Sequence, residues 1–384
     1  MFEIIDNSSS GTVIKVVGVG GAGGNAVDHM IRNGVTGVEF IVANTDQQAL
    51  SRCLAKNQIQ LGPSGLGAGA KPENGRTAAH DHREAIREAL AGANMVFITA
   101  GMGGGTGTGA APVVAEVAKE LGVLTVAVVT KPFAFEGKRM RVAETGLEEL
   151  SNHVDSLIVI LNERLMEVLG EDVSMRDAFR AADAVLHNAV AGIAEIINCP
   201  GLVNVDFEDV RTVMGEMGMA MMGSAYANGV DRARIAAEQA VASPLLEGVN
   251  LSGARGVLVN ITAGEGLKMR EVNEVMNTVR TFAADDATII FGAVYDDTMG
   301  DNLRVTVVAT GLGQSQAAQK AKSQPQLVVS ARTGTDNQPV GAVDYGTLEA
   351  TPAVFRRKRS TVEALQQTGV DKYDIPAFLR KQAD

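Results

Sequence analysis

Apolar runs of strand length alternate with stretches of helical periodicity through roughly the first 160 residues of the chain. Strands that alternate with helices are typical of a parallel sheet with helices on both faces. We therefore expect an α/β domain in this part of the chain. The predicted strands are Val13–Val19, Val38–Ala43, Met95–Ala100, Leu124–Thr130 and Ser156–Ile160.

The pattern then changes to a single long helix, predicted over Met175–Cys199 and ended by Pro200 and Gly201. About 24 residues at 1.5 Å per residue make a rod of ~36 Å. Apolar residues spaced by three and four give this helix one buried face. They are Phe179, Ala182, Val185, Leu186, Ala189, Val190, Ile193, Ile196 and Ile197.

Beyond this helix the pattern predicts a smaller α+β domain and then a segment without periodicity. Helix-like and strand-like segments alternate up to residue 313, after which residues 314–369 are rich in Gln, Ser, Thr, Ala and Pro. Such a composition is typical of a disordered linker. The predicted helices are Arg232–Val241 and Lys268–Ala283, and the predicted strands are Gly256–Ile261, Ala287–Val294 and Leu303–Thr310.

Composition narrows the class of protein. The 384 residues carry a net charge of −11 and include four Tyr and no Trp, which argues against a nucleic-acid-binding surface. Cys53 and Cys199 lie far apart and form no CxxC, so we expect a reducing compartment and no structural metal. Met1–Asp6 lacks the basic segment of a signal peptide, and no apolar run approaches the ~20 residues of a membrane span. We expect a cytoplasmic protein without membrane insertion.

The glycine-rich stretch Gly103–Gly109 carries the strongest chemical signal. It lies between the Met95–Ala100 strand and a helix predicted from Ala110, with Pro112 in its first turn. A glycine loop at a helix N-terminus offers backbone N–H groups and positive potential to an anion, and two threonine hydroxyls add donors for phosphate oxygens.

A second glycine loop follows the first strand. Gly18, Gly20 and Gly23 match G-x-G-x-x-G, which leaves a Rossmann-type nucleotide-dependent oxidoreductase open as an alternative. The chain contains no G-x-x-x-x-G-K-[ST], so a P-loop NTPase is excluded. Phosphates must then be held by backbone amides, hydroxyls and a metal ion.

Other polar residues have two interpretations each. Glu136 and Arg139 follow a strand at the edge of both loops, where they either bind ribose and phosphate or form an exposed ion pair. Asp206 and Asp209, beyond the long helix, either cap the next helix or act on a nucleotide held by a second copy of the chain. The segment His80-Asp81-His82 is predicted to form the first turn of a helix that runs to Ala91, an interpretation that we favour over a metal site.

The charged and apolar residues near the end of the chain have open roles too. Arg356–Arg359 is a basic run. We favour the interpretation that these charges are simply exposed to water in the linker over the alternative that they contact acidic lipid or protein. Residues 370–384 predict a partner-docking peptide, because Ile375, Phe378 and Leu379 follow helical spacing at the end of the predicted linker.

These motifs together resemble the tubulin/FtsZ family of GTPases, to which bacterial cell-division proteins belong. The resemblance covers about residues 11–313 and the last dozen residues. It rests on the motifs GVGGAGGN at 18–25, NTD at 44–46, GGGTGTG at 103–109, FEG at 135–137, NVDFEDVR at 204–211 and DIPAFLRKQAD at 374–384.

The resemblance implies a parallel-sheet GTP-binding domain, a long central helix and a smaller α+β C-terminal domain. It also implies a GTPase that polymerises head-to-tail into filaments of the division ring at mid-cell. The corresponding boundaries are 1–10 for an N-terminal tail, 11–174 for the GTP-binding domain, 175–200 for the central helix, 201–313 for the C-terminal domain, 314–369 for the linker and 370–384 for the docking peptide.

The resemblance also assigns roles to residues. Glu136 and Arg139 approach ribose and phosphate, with Arg141 the alternative to Arg139 because this segment is one residue shorter than the family pattern. Phe179 stacks on guanine, and Asn204, Asp206 and Asp209 enter the neighbour's GTP site, where the aspartates polarise the attacking water. The remaining implied GTP/GDP-binding residues are Gly20, Gly21, Ala22, Gly23, Gly24, Asn25, Asn44, Gly103, Gly104, Gly105, Thr106, Gly107, Thr108, Gly109, Asn162 and Asp183.

Two departures from the family pattern affect guanine recognition. Ala184 follows Asp183 where a second Asp or Asn is common, and Leu161 replaces a usual Pro before Asn162. Mg²⁺ is expected to be held mainly by phosphates and water. Membrane tethers such as FtsA or ZipA are the implied partners of the tail residues Asp374, Ile375, Pro376, Phe378 and Leu379.

Overall fold

The computed structural model describes residues 11–170, 172–198, 205–216, 218–243, 254–284 and 287–312. Its strands are β1 Ile14–Val19, β2 Val38–Asn44, β3 Asn57–Gln60, β4 Met95–Gly101, β5 Leu124–Lys131, β6 Ser156–Leu161, β7 Gly218–Ala227, β8 Gly256–Ala263, β9 Thr288–Tyr295 and β10 Leu303–Leu312. Its helices are α1 Gly20–Arg32, α2 Gln47–Arg52, α3 Pro72–Asp81, α4 Arg83–Leu90, α5 Thr106–Glu120, α6 Lys138–Ser151, α7 Asn162–Leu169, α8 Met175–Asn198, α9 Phe207–Met214, α10 Arg232–Val241 and α11 Met269–Arg280.

All described strands belong to one sheet, in the order β3-β2-β1-β4-β5-β6-β7-β10-β8-β9. The strands from β3 to β7 pair in parallel, β10 pairs antiparallel with β7 and β8, and β9 is parallel to β8. The α/β fold predicted from the sequence is confirmed. Pairing of β6 with β7, through Ser156 and Gly218, joins the parallel sheet to the C-terminal strands.

Helices cover both faces of the parallel sheet, as the alternating pattern predicts. On one face, α1 and α8 bury residues such as Val27, Met30 and Leu186 against strand residues such as Phe97. On the other face, α4 and α5 pack on the alternate positions of the same strands. The C-terminal strands have their own core with α10 and α11. In the described residues, no helix combines the length and apolarity that a membrane span requires.

The central helix α8 packs between the parallel sheet and the C-terminal strands. One continuous core contains Ala189 and Ile193 of α8, Val128 of β5 and Val308 of β10. Where α8 meets β8 the contact is partly polar, and the Asn260 side chain donates to the Gly192 carbonyl at 3.1 Å. The long helix predicted from the sequence is confirmed over Met175–Asn198, and residues 199–204 lie outside the described residues.

Two helix predictions are wrong. Helix α5 begins at Thr106, inside the glycine stretch, so Pro112 lies within the helix and not in its first turn. The segment His80–His82 does not open a helix, because α3 ends at Asp81 and α4 begins at Arg83. His82 lies at this break, where its Nδ1 accepts a hydrogen bond from Gly62 N–H at 3.3 Å. Within the described ranges, no three His, Cys, Asp or Glu side chains converge as metal ligands.

Candidate functional site

The two glycine loops meet at the carboxyl edge of the parallel sheet. Strands β1 and β4 are neighbours with Val19 opposite Ala100, so the loops that follow them start side by side. Gly20 has a φ of +75°, and a Cβ there would lie 2.9 Å from the nitrogen of Gly107. Only glycine allows this approach, since a side chain would collide with the second loop. The structure therefore brings Gly20–Asn25 and Gly103–Gly109 together.

The turn before α5 forms the floor of this site. Gly103 has a φ of +93°, and its N–H donates to the buried Thr108 hydroxyl at 2.8 Å. Helix α5 starts three residues later, so the first backbone N–H groups of α5 lie at the same sheet edge. These N–H groups and the helix dipole together favour binding of an anion such as phosphate.

A third segment, residues 66–71, lies against the second glycine loop, and the sequence analysis did not assign it to the site. A Cβ at Gly105 would lie 2.9 Å from Lys71 N and 3.2 Å from Ala70 N. Ala70 has a φ of +55°, the only positive value at a non-glycine residue in the described chain. Such strain persists only where surrounding contacts impose it, and it is common at ligand-binding loops. The glycines at 62, 65, 67 and 69 were the available signal in the sequence.

Asn44 is the last residue of β2, and Thr45 follows it in the turn that leads to α2. Both side chains are buried, and Asn44 Oδ1 accepts from Asp46 N–H at 3.2 Å. Asp46 caps α2 by accepting from Gln48 N–H and Ala49 N–H. The structure thus places Asn44 at the sheet edge, in contact with its own turn.

Glu136 and Arg139 lie beside the glycine loop and bond to each other. The Arg139 Nη1 donates to Glu136 at 2.6 Å, and Arg139 Nε donates to the Gly103 carbonyl at 3.4 Å. Glu136 also accepts from Phe133 N–H, and only a small part of its side chain is exposed. Arg141, the alternative phosphate ligand, is exposed further along α6. The geometry favours Arg139, whose guanidinium contacts the glycine loop.

Aromatic side chains cluster at the other end of the same edge. The buried Phe133 ring stacks on Phe135 with centroids 5.2 Å apart and meets the Phe179 ring edge-on at 5.6 Å. Phe179 lies in the second turn of α8 and is 44% exposed. A partly exposed ring on a rigid helix can stack on a planar base.

Polar groups suited to a base lie near these rings. Asn162 starts α7, and its Oδ1 is buried without a hydrogen-bond partner among the described residues. Asp183 lies one turn after Phe179, and burial raises the pKa of its carboxyl to about 6. Asn25 of α1 is exposed. An unpaired acceptor and a desolvated carboxyl fit a ligand that supplies N–H donors.

The two carboxylates beyond the central helix lie away from these loops. Helix α8 starts near Phe133 at the loop edge, whereas its last residue, Asn198, donates to the Gly37 carbonyl at 2.7 Å. Gly37 immediately precedes β2, at the amino edge of the parallel sheet. The helix of 24 residues, about 36 Å long, thus crosses the sheet from the loop edge to the opposite edge.

The N-terminus of helix α9 lies on the side of the molecule where α8 ends. Along α8, Gly192 and then Glu195 contact Asn260 and Thr262, so α8 runs toward the carboxyl end of β8. Thr310 Oγ1 donates to the Val213 carbonyl near the start of β8, so the C-terminal end of α9 lies there. The N-terminus of α9 therefore points toward the carboxyl end of β8.

Asp206 and Asp209 lie at this N-terminus of α9. Asp206 Oδ1 accepts from Asp209 N–H at 2.8 Å, which confirms the capping interpretation for Asp206. One oxygen of Asp206 is used in the cap, and the Asp209 carboxylate projects from the first turn. Asn204 lies outside the described residues.

The comparisons with known proteins agree with this geometry. Residues 13–170 match the model of the tubulin/FtsZ family, GTPase domain, and residues 218–313 match the FtsZ family, C-terminal domain. The whole chain is 54% identical to the whole of the cell division protein FtsZ of Pseudomonas putida. The chain belongs to the FtsZ family. It is also 53% identical to FtsZ of Neisseria meningitidis, over all of this chain and 98% of that protein.

Solved structures place the same fold in FtsZ and in a more distant relative. An empty FtsZ dimer of M. jannaschii is 44% identical, with a TM-score of 0.76, over 80% of this chain and 90% of that chain. CetZ2 from Haloferax volcanii, as a GTPγS-bound protofilament, is 20% identical with a TM-score of 0.68, over 80% of this chain and 96% of that one, which shows a common fold. The FtsZ-family match identifies the chain as a GTPase. The oxidoreductase alternative finds no support.

Proposed function

We propose that this FtsZ-family GTPase assembles head-to-tail and hydrolyses GTP only where two copies meet. The observation that carries the proposal is the separation of Asp206 and Asp209 from the glycine loops by the length of α8. Because these carboxylates lie beyond the end of α8 that is far from their own chain's loops, they can reach only a nucleotide bound by another copy. Repetition of such a head-to-tail contact gives an open filament.

The nucleotide lies along the carboxyl edge of the parallel sheet. The phosphates bind the backbone N–H groups left free at the N-termini of α1 and α5, within the stretches Gly20–Asn25 and Gly103–Gly109, and the hydroxyls of Thr106 and Thr108. Arg139 contacts phosphate once its ion pair with Glu136 opens. Glu136 then accepts a hydrogen bond from a ribose hydroxyl. Phe179 stacks on guanine, while Asp183, Asn162 and Asn25 bind its polar edge, since guanine presents N–H donors to acceptors of this kind.

Hydrolysis needs a group that polarises water, and the loops of one chain offer amides and hydroxyls for the phosphates. In the assembled pair, the carboxylates of Asp206 and Asp209 from the neighbouring copy orient and polarise the attacking water beside the terminal phosphate. Asn204 enters the same site. The cap that Asp206 forms with Asp209 N–H holds the first turn of α9 in a fixed geometry for this task.

Exposed apolar side chains at both ends support the same contact. Leu66, Phe135 and Met175 are 89%, 70% and 62% exposed at the glycine-loop edge. The N-terminus of α9 points toward the carboxyl end of β8. At that end, Val230 and Met269 are 94% and 76% exposed. Large exposed apolar residues gathered at two opposite ends favour burial against a second copy.

The finer assignments follow from the same family membership. We place the boundaries at 11–174, 175–200 and 201–313, with 314–369 a linker to the docking peptide 370–384. Mg²⁺ would be held mainly by phosphate oxygens and water, because the loops supply hydroxyls and amides, and it would neutralise developing phosphate charge. The tail would bind tethers such as FtsA or ZipA, which would locate the filaments at the mid-cell division site in the cytoplasm.

The proposal is tested by GTP turnover per subunit as a function of protein concentration. Turnover should rise steeply above a threshold that coincides with the onset of sedimentable polymer. Constant turnover per subunit from dilute to concentrated protein would contradict the shared site.

A substitution at the proposed acid separates binding from hydrolysis. Asp209→Asn should lower turnover about 100-fold or more, in the range expected for loss of acid–base catalysis, and keep GTP binding near wild type. Glu208→Gln is the matched control, because Glu208 is the adjacent exposed acid in the same first turn. Equal turnover in Asp209→Asn and the control would remove Asp209 from the mechanism.

A further inference from the structure

Thr45 lies outside both glycine loops, yet its hydrogen bonds connect three segments on the proposed phosphate side of the site. Its hydroxyl oxygen lies 2.6 Å from the Thr106 hydroxyl oxygen, at the first residue of α5. Its carbonyl accepts from Gly67 N–H at 3.0 Å, which holds the segment that faces Gly105. Thr45 is only 4% exposed. One buried residue thus joins the end of β2, the 66–71 segment and the start of α5.

The order of the strands tells which phosphate lies nearest to this residue. Asn162 follows β6, Glu136 and Arg139 follow β5, and the glycine loops follow β4 and β1. The sheet continues from β1 to β2, which Thr45 follows. If the base lies at the β6 side, as proposed above, the phosphate chain extends toward β2. The terminal phosphate then lies beside Thr106 and Thr45.

The direction of the hydrogen bond between the two hydroxyls decides what Thr106 offers to that phosphate. Within the described part of the chain, Thr106 Oγ1 is the only hydrogen-bond partner of the Thr45 hydroxyl. When Thr45 donates, Thr106 keeps its own hydrogen free for a phosphate oxygen. When Thr106 donates, it presents only lone pairs, which repel an anion. A bound terminal phosphate therefore requires Thr45 as the donor.

We propose that Thr45 is a positioning residue for the terminal phosphate of GTP, acting through Thr106. Its hydroxyl orients the Thr106 hydroxyl as a donor, and its carbonyl keeps the 66–71 segment against the loop. Thr45 itself does not touch the nucleotide. This inference rests on the proposed orientation of GTP along the sheet edge.

The test compares the affinities of Thr45→Val and Thr45→Ser for GDP and for the slowly hydrolysed analogue guanosine 5′-(β,γ-imido)triphosphate. Full-length protein is used below its assembly threshold, so that binding reports single subunits. Thr45→Val keeps the side-chain shape and lacks the hydroxyl. It should bind the triphosphate about tenfold more weakly, since the Thr106 hydroxyl is no longer oriented as a donor to the terminal phosphate. GDP lacks that phosphate and should bind as it does to wild type. Thr45→Ser should restore the wild-type ratio.

Thr125→Val is the matched control, because Thr125 is a buried strand threonine whose hydroxyl bonds the Val123 carbonyl at the opposite edge of the sheet. It should leave both affinities unchanged. Equal weakening of triphosphate and GDP in Thr45→Val, or no rescue by serine, would overturn the inference as a merely structural effect. A wild-type protein that binds neither nucleotide would overturn the proposed function itself, which is a distinguishable result.

Discussion

At the scale of single residues, the candidate site contains polar side chains that burial partly or wholly withdraws from water, and in the described part of the chain Asn162 Oδ1 has no hydrogen-bond partner. Asp183 and Asn162 are of this kind, since one is a carboxyl desolvated by burial and the other has a buried unpaired oxygen. Burial of such groups costs free energy in the empty protein. A ligand that supplies N–H donors recovers part of this cost, so these residues contribute specificity as well as affinity.

The raised pKa of Asp183 predicts a pH dependence of GTP binding. Burial raises this pKa to about 6, and only the carboxylate accepts two N–H donors from guanine. Binding should therefore be at full strength above pH 6 and weaken as the pH falls through it. At pH 5, one unit below this pKa, only about a tenth of the Asp183 carboxyl is ionised. We therefore expect the affinity for GTP to be about tenfold weaker at pH 5 than at pH 7.5 from this group alone.

The phosphates of GTP titrate in the same range, so the measurement is the ratio of wild-type to Asp183→Asn affinity at each pH. The amide does not titrate, and the ratio should fall toward pH 5. A ratio independent of pH would show that Asp183 does not contact the base.

Residue identities could be predicted from sequence where one local pattern carries them. Both glycine loops were found because each follows an apolar strand. Residues 66–71 were missed because their role depends on a contact between Lys71 and Gly105, more than 30 positions apart in the chain. The pairing of Thr45 with Thr106 is equally non-local. A pattern along the chain holds no information on which turns the sheet brings together.

At the scale of elements, strands with long apolar runs were predicted and strands without them were not. The edge strand β3 has the sequence NQIQ, in which one apolar residue gives no periodicity. Strand β7 is rich in glycine and methionine and pairs with β6 and β10, so its strand conformation comes from its neighbours. Helix α3 was missed because it begins at Pro72 and contains Gly75, residues that are typical of turns and loops.

A buried ion pair fixes the packing of α10 on α11 in the C-terminal domain. Arg232 is 8% exposed and binds Glu271 through two nitrogens, at 2.6 and 3.1 Å, with a further bond to the Asp301 carbonyl. The Arg232 guanidinium lowers the pKa of Glu271. This arrangement is bidentate and shielded from water, which makes removal of one partner costly.

Replacement of Arg232 by Met should destabilise the protein by about 3 kcal/mol, because Glu271 is left partly buried without its partner. The measurement is urea denaturation of the full-length protein followed by circular dichroism. Arg234→Met is the control on the same helix, since Arg234 forms an exposed pair with Glu238. A midpoint shift no larger in Arg232→Met than in the control would mean that the buried pair contributes nothing measurable.

At the scale of the whole molecule, α8 separates the glycine loops from Asp206 and Asp209, the acids that we propose act on the bound nucleotide. The parallel sheet brings both glycine loops to its carboxyl edge, and α8 carries the chain to the far side before Asp206 and Asp209 appear. The sequence predicted this separation from the length of the helix alone, because a helix of known length is a rigid spacer.

Mixing two inactive variants tests the separation directly. Asp209→Asn keeps an intact nucleotide site and lacks the acid, whereas Asp183→Ala keeps the acid and has a weakened base site. In a 1:1 mixed filament with random order, about one contact in four joins an intact site to an intact acid, following the head-to-tail geometry. At a GTP concentration that fills the intact site and leaves the Asp183→Ala site largely empty, each variant alone should be nearly inactive, and turnover of the mixture should reach roughly a quarter of the wild-type value per subunit.

Incorporation of both variants must be measured in the same experiment, by sedimentation of the mixture with each variant separately labelled. If both enter the polymer and turnover stays at the sum of the two separate values, each active site lies within one chain. Recovery of activity at equal incorporation can arise only when the acid and the nucleotide belong to different copies, because neither variant contains both functional groups.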